Sequence, residues 1–265
     1  MHLPQIARRE PAINLPAPLL CAIATLVLIH AAREFLSEVA DLGVAVDFGF
    51  LPGRWSLAFG LATTDDLVRT ASAGFADPRR AAFMSAFAEY VATQPGPHAW
   101  SFLTYAALHG SWAHVLLNSV WLAAFGAPVL RRLGGVRTAA VAVATALGGA
   151  GAYWLANRWS VQPMIGASAV VSGFMGAAAL FAFDGPDSPH AGRAGVAGLL
   201  RNRTAMLFLG SWFAINLLLG FAAGPLGIAQ GGIAWEAHLG GLVTGLLLFP
   251  LLDREQGGSP HALGA

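Results

Sequence analysis

Residues 112–130 read WAHVLLNSVWLAAFGAPVL, nineteen positions without one Asp, Glu, Lys or Arg. About 20 mostly apolar residues suffice for a helix to cross a bilayer, so this stretch reads as a membrane span. Two of its side chains are foreign to hydrocarbon: His114 and Asn118 lie four apart and therefore share one helix face. Polar groups inside a membrane are costly and usually functional. The segment that sets the fold class thus also points to chemistry.

The rest of the chain agrees with it. Of the 265 residues, 56% are apolar and only 11% are charged, against roughly 45–50% and about 25% in an ordinary soluble domain. The mean hydropathy is +0.60. So few charges cannot cover a soluble globule, which excludes a soluble enzyme and a disordered chain. A formal net charge of +1 offers nothing to a polyanion, so a nucleic-acid partner is excluded too. The expected fold class is an all-α, multi-pass integral membrane protein. All 15 basic residues are Arg, a bias of composition, and the 32 glycines suit closely packed membrane helices. Cys21 is the only cysteine, so neither an intrachain disulfide nor a cysteine metal cluster is available, and it is expected to be buried as a small hydrophobe.

Reading outward from residue 112, further apolar stretches fall at 15–32, 138–156, 168–183, 205–222 and 238–252, the last short enough that a start a little before Glu236 is an alternative. The first is too long for the apolar region of a signal peptide, and Arg33-Glu34 follows it without a small-residue cleavage site. Between the first and second spans lies a long mixed segment, broken at Leu51-Pro52-Gly53, Asp77-Pro78 and Gln94-Pro95-Gly96-Pro97. Phe48, Phe50, Leu51, Trp55, Leu57 and Phe59 make it too apolar for a solvated linker, so part of it is expected in the membrane interface. Residues 79–93 read as an amphipathic helix with Ala82, Phe83, Ala86, Phe87 and Tyr90 on one face.

Arginines in the short loops set the orientation. Arg8, Arg9, Arg131, Arg132, Arg137, Arg193, Arg201, Arg203 and Arg254 fall on one side, and Arg158 alone on the other. Both termini are then cytoplasmic and the number of spans is even, which six satisfies. The expected division is a cytoplasmic tail at 1–14, a six-helix domain at 15–254 and a disordered tail at 255–265, which carries Gly257-Gly258-Ser259-Pro260. No repeat of the kind that builds transporters is evident.

Polar residues gather at three places: His109 to Asn118, Gly166-Ala167-Ser168-Ala169, and Ala237-His238-Leu239-Gly240-Gly241 with Gly245 beyond. Each alone has an ordinary reading. A membrane serine bonds its own backbone, an Asn serves as interhelical glue, and Gly-x-x-x-Gly marks close helix packing. Yet all three open the second, fourth and sixth spans, which run inward from the outer side and so can meet at one depth. The set holds a hydroxyl nucleophile, an imidazole base and further hydrogen-bond donors, the inventory of acyl transfer. A zinc protease would need His-Glu-x-x-His, which is absent. An aspartyl dyad or a proton-coupled transporter would need carboxylates, and spans two to five contain none.

These three motifs, in this order, resemble the rhomboid family of intramembrane serine proteases over roughly residues 100–253. The resemblance implies a six-helix rhomboid-like bundle with a long, partly interfacial first loop. It implies Ser168 as nucleophile and His238 as general base, with no third carboxylate. His114, Asn118 and the Ser168 N–H would hold the oxyanion. Gly166 would permit close backbone approach, Gly241 and Gly245 would bring span six against span four, and His109 would pack the first loop. Substrates would be transmembrane segments of other proteins within the lipid bilayer. No metal or cofactor is implied, and oligomeric state is left open. The compact, Arg-only chain suggests a bacterial inner membrane, with an organellar membrane as the alternative. Three residues depart from the family pattern: Ala169 for a Gly after the nucleophile, Ser172 for a Tyr that stacks on the catalytic His, and Ser101 for an Arg after Trp100. The alternatives are a rhomboid-like protein that binds membrane helices without cutting them, and a small transporter or channel.

Overall fold

The computed structural model describes residues 15–73, 75–94, 96–183, 195–222 and 233–253. Among them, helix α1 (Ala17–Arg33) leads into a first loop built from α2 (Glu38–Phe48), α3 (Pro52–Ala58), α4 (Thr64–Ala73), α5 (Pro78–Thr93) and α6 (Ser101–Thr104). Then come α7 (Trp112–Leu133), α8 (Gly135–Ala156), α9 (Ser168–Ala182), α10 (Gly195–Arg201), α11 (Arg203–Ala222) and α12 (Trp235–Asp253). No strand forms among the described residues; one antiparallel bridge joins Phe50 to Met164. The tails expected at 1–14 and 255–265, with Arg8, Arg9, and also Arg193 and Arg254, lie outside the described residues.

Local chemistry explains where helices start and stop. Ser37 caps α2 by accepting from the Ala40 N–H, and Asp77 caps α5 with Pro78 in its first turn. Ser111 accepts from the His114 N–H and opens α7. Gly134, at φ +75°, ends α7 and leads straight into α8. A glycine at positive φ there turns the chain from one helix into the next with no loop at all.

Helices α7, α8 and α12, of 22, 22 and 19 residues, are long and apolar enough to cross a membrane. α1 and α9 are apolar but shorter, at 17 and 15 residues, and α11 is apolar over 203–218. α9 sits in the middle, with apolar side chains buried nearly all round, among them Phe174, Met175 and Leu180. Large residues such as Leu28, Leu207 and Leu247 face outward, as lipid contact allows. Cys21 is exposed as well, a correction to the expected burial. A face that meets lipid has no reason to hide a small apolar residue.

Small residues set the spacing of the centre. A Cβ on Gly241 would overlap the Ala169 carbonyl, and one on Gly245 would overlap the Gly173 carbonyl, so α12 lies backbone to backbone on α9. Far from His114 along α7, Arg132 grips Asp253 with both arms, Nε to Oδ1 at 2.8 Å and Nη2 to Oδ2 at 2.7 Å. Its guanidinium also lies 4.7 Å from the Phe181 ring centre. This ties the ends of α7 and α12 across α9.

The first loop is packed rather than extended. α4 and α5 form a hairpin around Leu67, Ala71, Ala88 and Val91, covered by Leu51 and Val161. The packed face of α5 is therefore Met84, Phe87, Ala88 and Val91, while Phe83 and Tyr90 are exposed. Phe87 packs as expected, but Ala82, Phe83, Ala86 and Tyr90 do not, because the partner helix α4 selects the neighbouring stripe. The loop is stitched to the segment leading into α9 by paired Phe50–Met164 hydrogen bonds of 3.0 and 2.9 Å and by Gly53 N–H to Ser160 O at 2.8 Å. Buried Arg54 holds the loop from within: it donates to the Val46 carbonyl and lies 2.9 Å from His98 Nδ1.

Candidate functional site

Ser168 is the first residue of α9, and the backbone before it is held from two sides. The Gly166 N–H donates to the Tyr105 carbonyl at 2.9 Å, and the Ala167 N–H to His109 Nε2 at 3.3 Å. Gly166 adopts φ +125°, and a Cβ there would lie 2.7 Å from His114 Nε2 and 3.8 Å from Ser168 Oγ. Both dihedral and space demand glycine. The same measurement shows that the His114 ring and the Ser168 hydroxyl border one small space. No side chain caps α9, so its first-turn N–H groups have no capping acceptor and its positive dipole end lies at Ser168.

Ser168 Oγ lies 2.7 Å from His238 Nε2, and His238 Nδ1 lies 2.6 Å from Asn216 Oδ1. The Asn216 Nδ2 donates to the Trp212 carbonyl at 2.9 Å, which fixes the amide with its oxygen toward the imidazole. An amide oxygen only accepts, so Nδ1 carries the His238 proton and Nε2 is free to accept from the hydroxyl. His114 shows the opposite tautomer. Its Nδ1 faces the Gly110 N–H at 3.4 Å, which leaves the proton on Nε2, the nitrogen that faces Gly166.

The remaining residues named from the sequence divide clearly. Asn118 is buried and donates through Nδ2 to the His114 carbonyl at 3.0 Å. That is a bond within its own helix, and one Nδ2 proton is left over. His109 bonds Ala167, not Ser168. Gly241 and Gly245 touch the α9 backbone, as above. Ser172 gives its hydroxyl to the Ser168 carbonyl at 2.6 Å, so it does not hold His238. Ala169 fits because its methyl points at Gly149. Sequence reasoning missed Asn216 and Trp212; the available signal was an uncharged polar residue in the middle of an apolar span.

His109 is fully buried, beside His114 with ring centres 4.9 Å apart. Burial, then the neighbouring His114 ring, push its imidazole from 6.5 down to about 3, opposed in part by the Ala107 carbonyl. The unfolded chain binds a proton that the folded ring refuses. The ring's stabilisation is therefore complete above about pH 6.5 and lost as pH falls toward 3. Thermal unfolding in detergent is expected to fall more steeply with acid in wild type than in His109→Gln, whose side chain still accepts from Ala167 but does not titrate.

A family model described as Rhomboid domain matches residues 96–255, a range that contains all three polar motifs. The chain is also 30% identical over 149 residues to a protein described as Rhomboid protease GlpG from Serratia proteamaculans (strain 568). That match covers 56% of the chain and 46% of the relative, so the chain spans about half the length of the curated relative it matches.

Proposed function

The chain belongs to the rhomboid family, and on that premise we propose that it is an intramembrane serine endopeptidase that cuts transmembrane segments of other proteins. The observation that carries this reading is the 2.7 Å contact between Ser168 Oγ, at the open end of α9, and His238 Nε2. Ser168 is the nucleophile and His238 the general base.

Attack of Oγ on a scissile carbonyl carbon sends the hydroxyl proton to Nε2. The oxyanion faces the Ser168 N–H and the His114 Nε2–H, with the spare Nδ2 proton of Asn118 behind them. Collapse breaks the C–N bond, and the leaving amine takes the proton from Nε2. Water then attacks the acyl-enzyme, gives its proton to the same nitrogen, and frees the new carboxyl end as Ser168 is restored. Gly166 keeps the approach to Ser168 clear, His109 fixes the Ala167 N–H, and Gly241 and Gly245 keep His238 within reach. No metal or cofactor enters any step. Residues 15–254 act as one unit of six spans, with both termini cytoplasmic, in a bacterial inner membrane.

The test is a fluorophosphonate probe and a tagged single-span substrate in liposomes. Wild type is expected to cut the substrate and to carry the probe on Ser168 by peptide mapping. Silence in both assays would leave a protein that binds membrane helices without cutting them. If His114 and Asn118 serve the oxyanion, His114→Ala and Asn118→Ala each lower kcat by about 10²–10³. Steady-state kinetics with KM measured separately checks this.

A further inference from the structure

We propose that Asn216 is a positioning residue for His238, resting on the proteolytic reading above. It fixes the tautomer and ring direction of the base through its side-chain oxygen. The geometry is a relay of three contacts from three helices: Ser168 Oγ to His238 Nε2 at 2.7 Å, His238 Nδ1 to Asn216 Oδ1 at 2.6 Å, and Asn216 Nδ2 to Trp212 O at 2.9 Å. Each amide atom has a defined partner, so the oxygen cannot turn away without losing two bonds. Trp212, one turn earlier on α11, adds a tilted ring 6.2 Å from the imidazole. Residue 172, where the family pattern has a stacking Tyr, is a serine bonded to its own helix and gives the base no support.

An amide suits this position physically. A carboxylate would have to be desolvated inside a membrane helix, which is expensive for an unpaired charge. An amide oxygen accepts the same hydrogen bond at lower cost and turns its dipole toward the imidazolium that forms in each proton transfer. The other polar neighbours cannot substitute. The Ser168 hydroxyl occupies Nε2, His114 faces Gly166, and Glu236 is engaged with Asn157 at 3.1 Å.

Two substitutions of nearly equal shape separate this role from packing. Asn216→Leu removes the acceptor and keeps the volume; Asn216→Asp keeps an acceptor oxygen in either ionisation state. Asn216→Leu is expected to lower kcat and the fluorophosphonate labelling rate by about 10- to 100-fold, part of the ~10²–10⁴ that a well-placed general base supplies. KM and thermal stability stay near wild type, and Asn216→Asp recovers most of the lost rate. A packing role would instead favour Leu, so a fully active Leu variant, or Leu and Asp variants equally impaired, overturns the proposal. Nitrogen-15 spectra of histidine-labelled protein read the contact without turnover. Wild-type His238 is expected to be protonated on Nδ1, and Asn216→Leu to lose that single tautomer. A wild-type His238 protonated on Nε2 overturns the proposal whether or not the protein cuts. A wild type that neither cuts nor labels, yet holds the Nδ1 proton, overturns the proteolytic reading and leaves the Asn216 contact standing.

Discussion

Ser168→Ala and His238→Ala are each expected to remove cleavage by about 10⁶-fold, the scale of loss when a serine protease is deprived of nucleophile or base. The two groups act as one unit: without the hydroxyl the imidazole has no proton to take, and without the imidazole the hydroxyl is a poor nucleophile. The double variant should therefore be no worse than either single one. Folding does not confound the serine result. Ser168→Ala forfeits one hydrogen bond to His238, worth about 1 kcal/mol net, so thermal unfolding in detergent should scarcely move. Cleavage that survives Ser168→Ala would overturn the assignment of the nucleophile.

The second large effect concerns space rather than chemistry. Gly241→Ala places a methyl on the Ala169 carbonyl, and Gly245→Ala places one on the Gly173 carbonyl. The obstacle in each case is backbone, which cannot rotate aside as a side chain does. The helices must separate, and overpacking of this kind costs about 1–3 kcal/mol. For Gly241 the consequence reaches the site, because His238 lies less than one turn away on α12 and Ser168 precedes the residue that is struck. A displacement near 1 Å lowers rate by about 10², so Gly241→Ala should lose activity on that scale together with stability. Gly245→Ala, a turn deeper, should lose stability with a smaller effect on rate. Gly151→Ala, where an added methyl meets nothing, should leave both unchanged. Melting temperatures and kcat for the three variants check the order.

The membrane class, the apolar helices and the three polar clusters were legible in the sequence because each leaves a local mark, while the pairing of Ser168 with His238 came from the family resemblance. A span is a run of apolar residues, and a polar group inside one stands out against it. What stayed hidden depends on which neighbour a face meets. The stripe of α5 that holds Phe83 and Tyr90 and the stripe that holds Met84, Phe87 and Ala88 are similarly apolar, and only α4 decides which is covered. Cys21 was misread for the same reason, since lipid accepts what a soluble surface would reject. Asn216 bonds a residue 22 positions away on another helix, and no spacing rule links the two. The methyl of Ala169 is tolerated because of a missing methyl at Gly149, a compensation visible only once α8 and α9 are side by side.

The shortness of α9 reaches beyond packing. Fifteen residues rise about 22 Å, while the hydrocarbon layer is about 30 Å thick. Were α9 to stand upright with its far end, beside the clasp between Arg132 and Asp253, at one surface, its first residue would lie some way beneath the other. On the proposed reading the enzyme then works as a depth gauge. The bond it cuts would be set in part by how far that bond lies from the membrane edge. Bilayer thickness becomes part of the specificity, and the same client protein would be cut at different bonds, or spared, in membranes of different thickness.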